Sequence, residues 1–105
     1  MGLKVEWTEF AENQLLNIFE FYYDGQNKSY CDKIIESLIK RTFILESNPF
    51  IGQIEDWLQN RFEQNRYLIE GNYTIIYFVD ESINTVYITN VFDCRQESSR
   101  ILRTK

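Results

Sequence analysis

The sequence predicts an α+β domain in which an antiparallel helical hairpin packs on one face of an antiparallel sheet. Apolar residues recur at helical spacing in two segments of the first half, and apolar and aromatic runs typical of strands fill the second half. The first residues alternate with the period of a strand. The predicted element order is β, α, α, β, β, β. A chain of 105 residues is the size of one domain, so residues 1–105 are taken as a single unit.

The first strand and first helix follow from a change of period. Leu3, Val5 and Trp7 alternate with charged residues, which is the pattern of a half-buried strand. Thr8 is a suitable N-cap residue, because its side-chain oxygen can accept a free N–H of the first helical turn. Apolar residues at helical spacing then predict a helix over about 9–23.

The second helix is predicted to begin near Ser29, which forms a capping-box pattern with Asp32 three residues later. Helical spacing continues to about Glu46, and Pro49 then prevents further helix. The connection between the two helices is short, so they are expected to be antiparallel neighbours. The predicted buried face of this helix consists of Cys31, Ile34, Ile35, Leu38, Ile39, Thr42 and Leu45.

Residues 48–62 show no clean period and predict a packed loop. The expected apolar anchors of that loop are Phe50, Ile54, Trp57 and Leu58.

A three-stranded meander is predicted after this loop. Strands over 66–70 and 73–80 flank the dipeptide Gly71-Asn72, which suits the positive-φ positions of a two-residue hairpin. The continuous apolar run Ile75–Val79 predicts a central strand that is buried on both faces. Residues 86–92 form the last predicted strand.

Composition excludes several kinds of chemistry. Histidine is absent, which removes the commonest general base and the usual transition-metal ligand. Cys31 and Cys94 are isolated and lack the spacing of a metal site. No metal and no cofactor are therefore expected. The sequence shows neither a membrane span nor the pattern of a signal peptide, so we expect a cytoplasmic protein with no membrane partner.

Arginines gather late in a chain whose formal net charge is −5. Hairpin geometry could bring Arg66 and Arg95 towards one concavity on the sheet face away from the helices, with Arg61 and Arg100 at its rim. Guanidinium groups bind phosphate or carboxylate well, so such a cluster would indicate an anionic partner. The alternative is that each arginine forms an ordinary surface ion pair with a nearby carboxylate.

Strand tyrosines such as Tyr73 and Tyr77 offer rings on which bases could stack. Tyrosines in strands are more often half-buried packing groups, and this alternative stays open at the level of the sequence.

Four segments, "VEWTEFAENQLLNIFEFY", "IIESLIKRTFILESNPFIG", "RYLIEGNYTIIYFVDE" and "VYITNVFDCRQ", together resemble the RelE/ParE superfamily of bacterial toxins. The resemblance covers about residues 5–96 in the order found in the family. It implies the toxin of a type II toxin-antitoxin pair that binds a cognate antitoxin, with a toxin-antitoxin hetero-oligomer as the expected assembly.

The family divides by target. ParE-like members inhibit DNA gyrase by binding, whereas RelE-like members cleave mRNA on the ribosome without a metal, a role in which Arg66 and Arg95 would be catalytic. The long hairpin, Thr74 in place of a basic residue, and the lack of tyrosine or histidine after Tyr87 favour a ParE-like, non-nucleolytic toxin. A degenerate member that binds its antitoxin without toxicity is a further alternative. The residues expected to contact target or antitoxin are Arg61, Arg66, Tyr73, Tyr77, Arg95, Gln96 and Arg100.

Overall fold

The computed structural model describes residues 2–23, 28–54 and 65–93, and of Tyr22 and Tyr23 it describes the backbone alone. The described elements are β1 (Lys4–Trp7), α1 (Glu9–Tyr23), α2 (Lys28–Thr42), β2 (Gln53–Ile54), β3 (Arg66–Glu70), β4 (Tyr73–Asp80) and β5 (Thr85–Asp93). The predicted α+β architecture is confirmed, and α1 and the three meander strands lie close to their predicted bounds.

The strands form one five-stranded sheet in the order β1-β5-β4-β3-β2. β3, β4 and β5 are the predicted antiparallel meander. Two further strands join this meander in the sheet, and the periodicity of the sequence does not identify their pairing. β1 pairs in parallel with β5, and the two-residue β2 pairs antiparallel with β3 inside the segment predicted as loop.

Thr8 joins β1 to α1 as the sequence predicts. Its Oγ1 accepts the N–H of Ala11 at 3.2 Å, which satisfies one of the free donors of the first turn. The same hydroxyl donates to the Ile88 carbonyl of β5 at 3.0 Å. One side chain therefore caps α1 and holds its start against the sheet.

The helix α2 differs from prediction at both ends. It begins at Lys28, so Ser29 lies within the first turn instead of at the cap position. The α-helix ends at Thr42, and Phe43–Glu46 continue as a 3-10 turn. The tighter turn still delivers Leu45 to the core, where it is fully buried. Apolar spacing cannot distinguish these two helix types over four residues.

The core lies between the helices and one face of the sheet. Its fully buried members include Ala11 of α1, Leu38 of α2, Ile75 of β4 and Ile88 of β5. Ile76 points to the opposite face of β4 and is also fully buried, which confirms the prediction of a central strand buried on both sides.

The two connections in the meander use left-handed backbone. Gly71 has φ of 61° in the β3–β4 turn, and Asn84 has φ of 51° before β5. Asn72 has no positive φ, so the hairpin follows the pattern with glycine at the first central position.

A β-bulge interrupts the pairing of β4 with β5. Tyr77 pairs with Ile88 whereas Ile76 pairs with Asn90, which leaves Thr89 as an extra residue on β5. The bulge reverses which residues of β5 face the helices beyond this point.

Candidate functional site

Three of the seven residues predicted to contact a partner lie in the described structure. These are Arg66, Tyr73 and Tyr77. The other four, namely Arg61, Arg95, Gln96 and Arg100, lie outside the described residues.

Arg66 was expected on the sheet face away from the helices, but the structure places it on the opposite face. Directly paired residues on neighbouring strands share one face of a sheet. Arg66 pairs with Tyr77 just as Leu68 pairs with Ile75, and Leu68, Ile75 and Tyr77 all belong to the core beneath the helices. The arginine therefore begins β3 on the helix-covered face.

The Arg66 guanidinium holds the segment that leads into β2. Its Nη1 donates to the carbonyl of Phe50 at 3.2 Å and to the carbonyl of Gly52 at 2.9 Å. Its Cζ lies 5.2 Å from the centre of the Phe50 ring, within cation-π range. These contacts place a charged group where irregular backbone would otherwise leave carbonyls without donors.

Gly52 is fixed from the other side by Tyr77. The N–H of Gly52 donates to the Tyr77 hydroxyl at 2.8 Å in a buried hydrogen bond. A Cβ at this position would lie 2.5 Å from that hydroxyl oxygen and 2.8 Å from the Tyr67 carbonyl oxygen, so glycine is required. We refer to Phe50, Gly52, Arg66 and Tyr77 as the Arg66 clamp.

The clamp also controls the ionisation of Tyr77. Burial raises the pKa of its phenol, because the charged form would lose its hydration. The hydrogen bond from Gly52 and the positive charges of Arg66 and Arg41 act in the opposite direction but do not cancel the effect of burial on this pKa. The phenol is therefore neutral near pH 7 and serves as a hydrogen-bond acceptor for the loop.

The two tyrosines predicted as contact residues are core residues. Tyr77 has no exposed surface and Tyr73 is only 7% exposed. Neither ring is available for stacking on a base or on a partner, so the packing alternative applies to both. Both tyrosines lie in β4 on the helix-covered face, as Ile75 does, and all three belong to the same core cluster.

The sheet register separates Arg66 from the end of β5. Arg66 aligns with Tyr77 and, across β4, with Ile88, whereas Asp93 at the end of β5 aligns with Tyr73 and Glu70. The strand end after which Arg95 follows thus lies roughly 13 Å further along β3, at ~3.3 Å per residue, than Arg66 does. The register by itself therefore does not bring the start of β3 and the end of β5 together, and whether Arg95 faces the same concavity as Arg66 stays a prediction.

The exposed surface beside the clamp is apolar. Phe50 and Ile51 are each 50% exposed and Ile54 is 49% exposed. Phe50 and Ile54 were predicted as apolar anchors of a packed loop, but both are half exposed, and in the described sheet β2 has a strand neighbour on one side alone. The other two predicted anchors, Trp57 and Leu58, lie outside the described residues. We call Phe50, Ile51 and Ile54 the edge patch. Neither this patch nor the role of Gly52 was predicted, since both depend on pairing with β3.

Within residues 2–23, 28–54 and 65–93, no group of histidine, cysteine, aspartate or glutamate is arranged to hold a metal ion. None of the described helices is long and apolar enough to cross a membrane.

Comparison with known proteins gives a consistent family. Residues 5–97 match the family described as ParE toxin of type II toxin-antitoxin system, parDE. A search of curated protein sequences finds no match.

Several solved structures share the fold at low sequence identity. A chromosomal ParDE toxin-antitoxin system from P. aeruginosa superposes with a TM-score of 0.68 at 14% identity, covering 87% of this chain and 95% of that chain. The toxin-antitoxin complex RelBE2 from Mycobacterium tuberculosis gives 0.61 at 18% identity, with coverages of 89% and 99%. An archaeal RelE-RelB complex from Pyrococcus horikoshii OT3 gives 0.58 at 14% identity, with coverages of 91% and 99%.

Proposed function

Because this chain belongs to the ParE toxin family of type II toxin-antitoxin systems, we propose that it inhibits growth by binding DNA gyrase and is neutralised by a cognate antitoxin. The observation that carries the proposal is the family match over residues 5–97, which includes both helices and all of the described strands except Lys4, the first residue of β1. Gyrase is the target that the sequence analysis favoured for a ParE-like toxin, and inhibition by binding needs no catalytic group.

The chemistry of the described residues favours binding over RNA cleavage. A metal-free ribonuclease needs a general base and a general acid near a cationic group. The chain contains no histidine, and the Tyr77 phenol is buried with a raised pKa. Arg66, the described candidate for a catalytic cation, already donates to two backbone carbonyls. These features support a structural role for both side chains.

We expect the antitoxin to cover the edge patch. Three apolar side chains within five residues of the chain are half exposed, which is costly in water, and one of them, Phe50, lies against the guanidinium of Arg66. An extended or helical antitoxin segment with apolar side chains would bury them, in the manner of strand addition or helix-in-groove binding. The partner surface would then combine the edge patch with the exposed part of Arg66.

A supercoiling assay tests the target. Purified chain is added to DNA gyrase, ATP and relaxed plasmid, and the same preparation is added to a translating extract whose messages are mapped for cuts. We expect lost supercoiling and intact messages. Messages cut within translated regions, with gyrase unaffected, would instead assign the chain to the nuclease class.

A growth assay distinguishes a toxin from a degenerate family member. The chain is induced alone and then together with its adjacent small gene, and colony formation and nucleoid shape are recorded. We expect arrest on single induction and rescue on joint induction. Normal growth together with unaffected gyrase would contradict the toxin proposal and support the non-toxic, antitoxin-binding alternative.

The antitoxin surface is tested with paired substitutions. Ile54→Asp places a charge in the edge patch, and Ile83→Asp places the same charge at an equally exposed site in the β4–β5 connection. We expect Ile54→Asp to weaken antitoxin binding at least about tenfold, because a buried unpaired charge opposes association. Ile83→Asp should have little effect. Equal affinities for the two variants, measured by calorimetry, would remove the edge patch from the interface.

A further inference from the structure

A cavity of about 340 Å³ lies between α2 and the turn that joins β3 to β4. Residues 30–38 of α2 supply one wall and residues 70–73 supply the other, and we call this cavity the hairpin pocket. Its volume lies within the range of roughly 300–1,000 Å³ that is usual for small-ligand sites. It is distinct from the Arg66 clamp, because Glu70 and Arg66 are the opposite ends of β3.

The lining of the pocket combines an apolar wall with hydrogen-bond acceptors. Ile34 presents aliphatic surface from α2, and Leu38, which also borders the pocket, is fully buried and adds no accessible surface. Ser37 and Asn72 contribute a hydroxyl and an amide, each of which can accept a hydrogen bond. Among the described residues of the lining, Glu70 is the one that carries a charge. The pocket therefore has a negative charge at one side of a partly apolar space.

This combination selects among ligand chemistries. An anionic group would be repelled by the Glu70 carboxylate, and a purely apolar group would remove water from that carboxylate without replacing its hydrogen bonds. A long basic side chain satisfies both parts, because its methylene stem packs on the aliphatic wall while its charged end reaches the carboxylate. Arginine fits better than lysine, since its planar fork can bind a carboxylate with two hydrogen bonds and can stack on a tyrosine ring. Tyr30 in the lining supplies such a ring, and its side chain is half exposed.

The existing neighbour of Glu70 leaves room for a second cation. Arg41 Nε lies 3.8 Å from Glu70 Oε1, beyond hydrogen-bond range, and donates to the Ile69 carbonyl at 3.4 Å. Both side chains of this pair are about one third exposed, so the pair is a weak surface contact. A guanidinium that enters the pocket can accordingly form the closer, two-point contact with the carboxylate.

The position of the pocket also suits a peptide partner. In the described part of the sheet, β2 pairs only with Arg66 and Tyr67, so residues 68–70 of β3 have no strand neighbour on their outer side. These three residues span roughly 10 Å at ~3.3 Å each, which is the distance from the edge strand to the pocket. An extended segment that covers the edge patch can therefore place a side chain in the hairpin pocket.

We propose that the hairpin pocket binds an arginine side chain of the antitoxin. The identity of the partner rests on the proposed function, whereas the preference of the pocket for a guanidinium group does not.

The preference is tested with small-molecule probes and the intact chain. N-acetyl-argininamide and its uncharged isostere N-acetyl-citrullinamide are titrated to tens of millimolar, and the backbone amide resonances are followed by NMR. We expect saturable shifts at Gly71 and Asn72 with the arginine probe, and an affinity at least about fivefold weaker for the citrulline probe. Glu70→Gln should reduce the affinity for the arginine probe by a similar factor, and Glu36→Gln, on the exposed side of α2, should leave it unchanged.

Two results would overturn the proposal. One is equal binding of the arginine and citrulline probes by the unmodified chain, a comparison that does not depend on the folding of any variant. The other is the absence of shifts at residues 70–73 with either probe. The gyrase and growth assays are separate measurements. If the pocket binds arginine but the chain is not toxic, this inference holds while the proposed function fails.

Discussion

Arg66 illustrates how one side chain predicted to contact a partner is used within the fold. Its guanidinium binds the carbonyls of Phe50 and Gly52 and lies over the Phe50 ring, while Tyr77 accepts the Gly52 N–H. Four residues from three separate parts of the chain thereby fix the path into β2. At this scale the clamp is a structural device, and its stability can be measured one residue at a time.

Gly52→Ala is expected to destabilise the protein by about 2–3 kcal/mol, because the added methyl meets the Tyr77 hydroxyl and the Tyr67 carbonyl inside van der Waals contact. Gly71→Ala is the matched control. Nothing lies within 4 Å of a Cβ at Gly71, so only its φ of 61° is strained, at a cost of about 1 kcal/mol. Urea denaturation of both variants gives the comparison, and an equal or smaller loss for Gly52→Ala would contradict the clamp geometry.

Tyr77→Phe removes the acceptor of the Gly52 N–H and is expected to cost about 1–3 kcal/mol near pH 7, since a buried donor is left unsatisfied. The cost should decrease at alkaline pH. The pKa of Tyr77 is raised in the folded protein above its ordinary value of 10.0, so the folded state retains a proton that the unfolded state releases. The stabilisation from this group is therefore complete below pH 10 and is lost as pH rises through the folded-state pKa.

The measurement is the difference in unfolding free energy between the unmodified chain and Tyr77→Phe at several pH values from 7 to 11. Subtracting one protein from the other removes the contributions of the remaining tyrosines and lysines. A difference that stays constant or grows above pH 10 would show that the phenol is not protected by burial.

At the level of elements, α1 protects an exposed part of the β5 edge. β1 pairs with β5 only as far as Ile88, and the bulge turns the N–H of Val91 outward from β4. The side chain of Gln14 in α1 accepts that N–H at 2.7 Å. A glutamine in the middle of a helix thus takes the place that a neighbouring strand would occupy, which limits unwanted edge pairing.

Gln14→Ala is expected to destabilise the protein by about 1–2 kcal/mol and to accelerate hydrogen exchange at Val91, because that buried N–H loses its acceptor. Asn13→Ala changes the adjacent, exposed position of α1 and should be neutral or slightly stabilising through its better helix propensity. Unchanged exchange at Val91 in Gln14→Ala would mean that the glutamine does not protect the edge.

For the whole molecule, the pairing of β1 with β5 connects the two ends of the described fold. Val5 pairs with Val86, the Leu3 N–H donates to the Glu46 carbonyl, and Thr8 donates to Ile88. These contacts join residues that are far apart in the chain and couple the N-terminal strand, the helices and the meander into one unit. Folding is therefore expected to be cooperative, with a rate limited by these distant contacts.

Deletion of residues 2–7 is expected to abolish a cooperative thermal transition, because it exposes the β5 edge and removes the half-buried side chains of β1 from the core. Lys4→Ala is the matched change within the same strand. It removes only an exposed ion pair with Glu6, so the thermal transition should be almost unchanged. Circular dichroism on heating distinguishes the two, and a sharp transition in the deletion variant would show that β1 is dispensable.

The spacing of apolar side chains and the turn residues in the sequence determined the local elements of this protein. The alternation at Leu3, Val5 and Trp7, the helical spacing of α1 and α2, and the Gly71-Asn72 hairpin each depend on neighbours within a few residues. These signals fix which segments are helix or strand, and the resemblance built on them agrees with the family to which the chain belongs. Local structure is readable because the side-chain period reflects the backbone conformation directly.

The tertiary structure alone decided which surfaces those elements present. The strand register places Arg66 on the helix-covered face. It aligns the end of β5 with Glu70, at the other end of β3 from Arg66. It buries Tyr77 under the segment at Gly52, and it leaves Phe50, which precedes β2, and Ile54, which lies in β2, half exposed. Strand partners and register arise from contacts between residues far apart in the chain, so a one-residue shift in pairing would change every face without altering any local pattern.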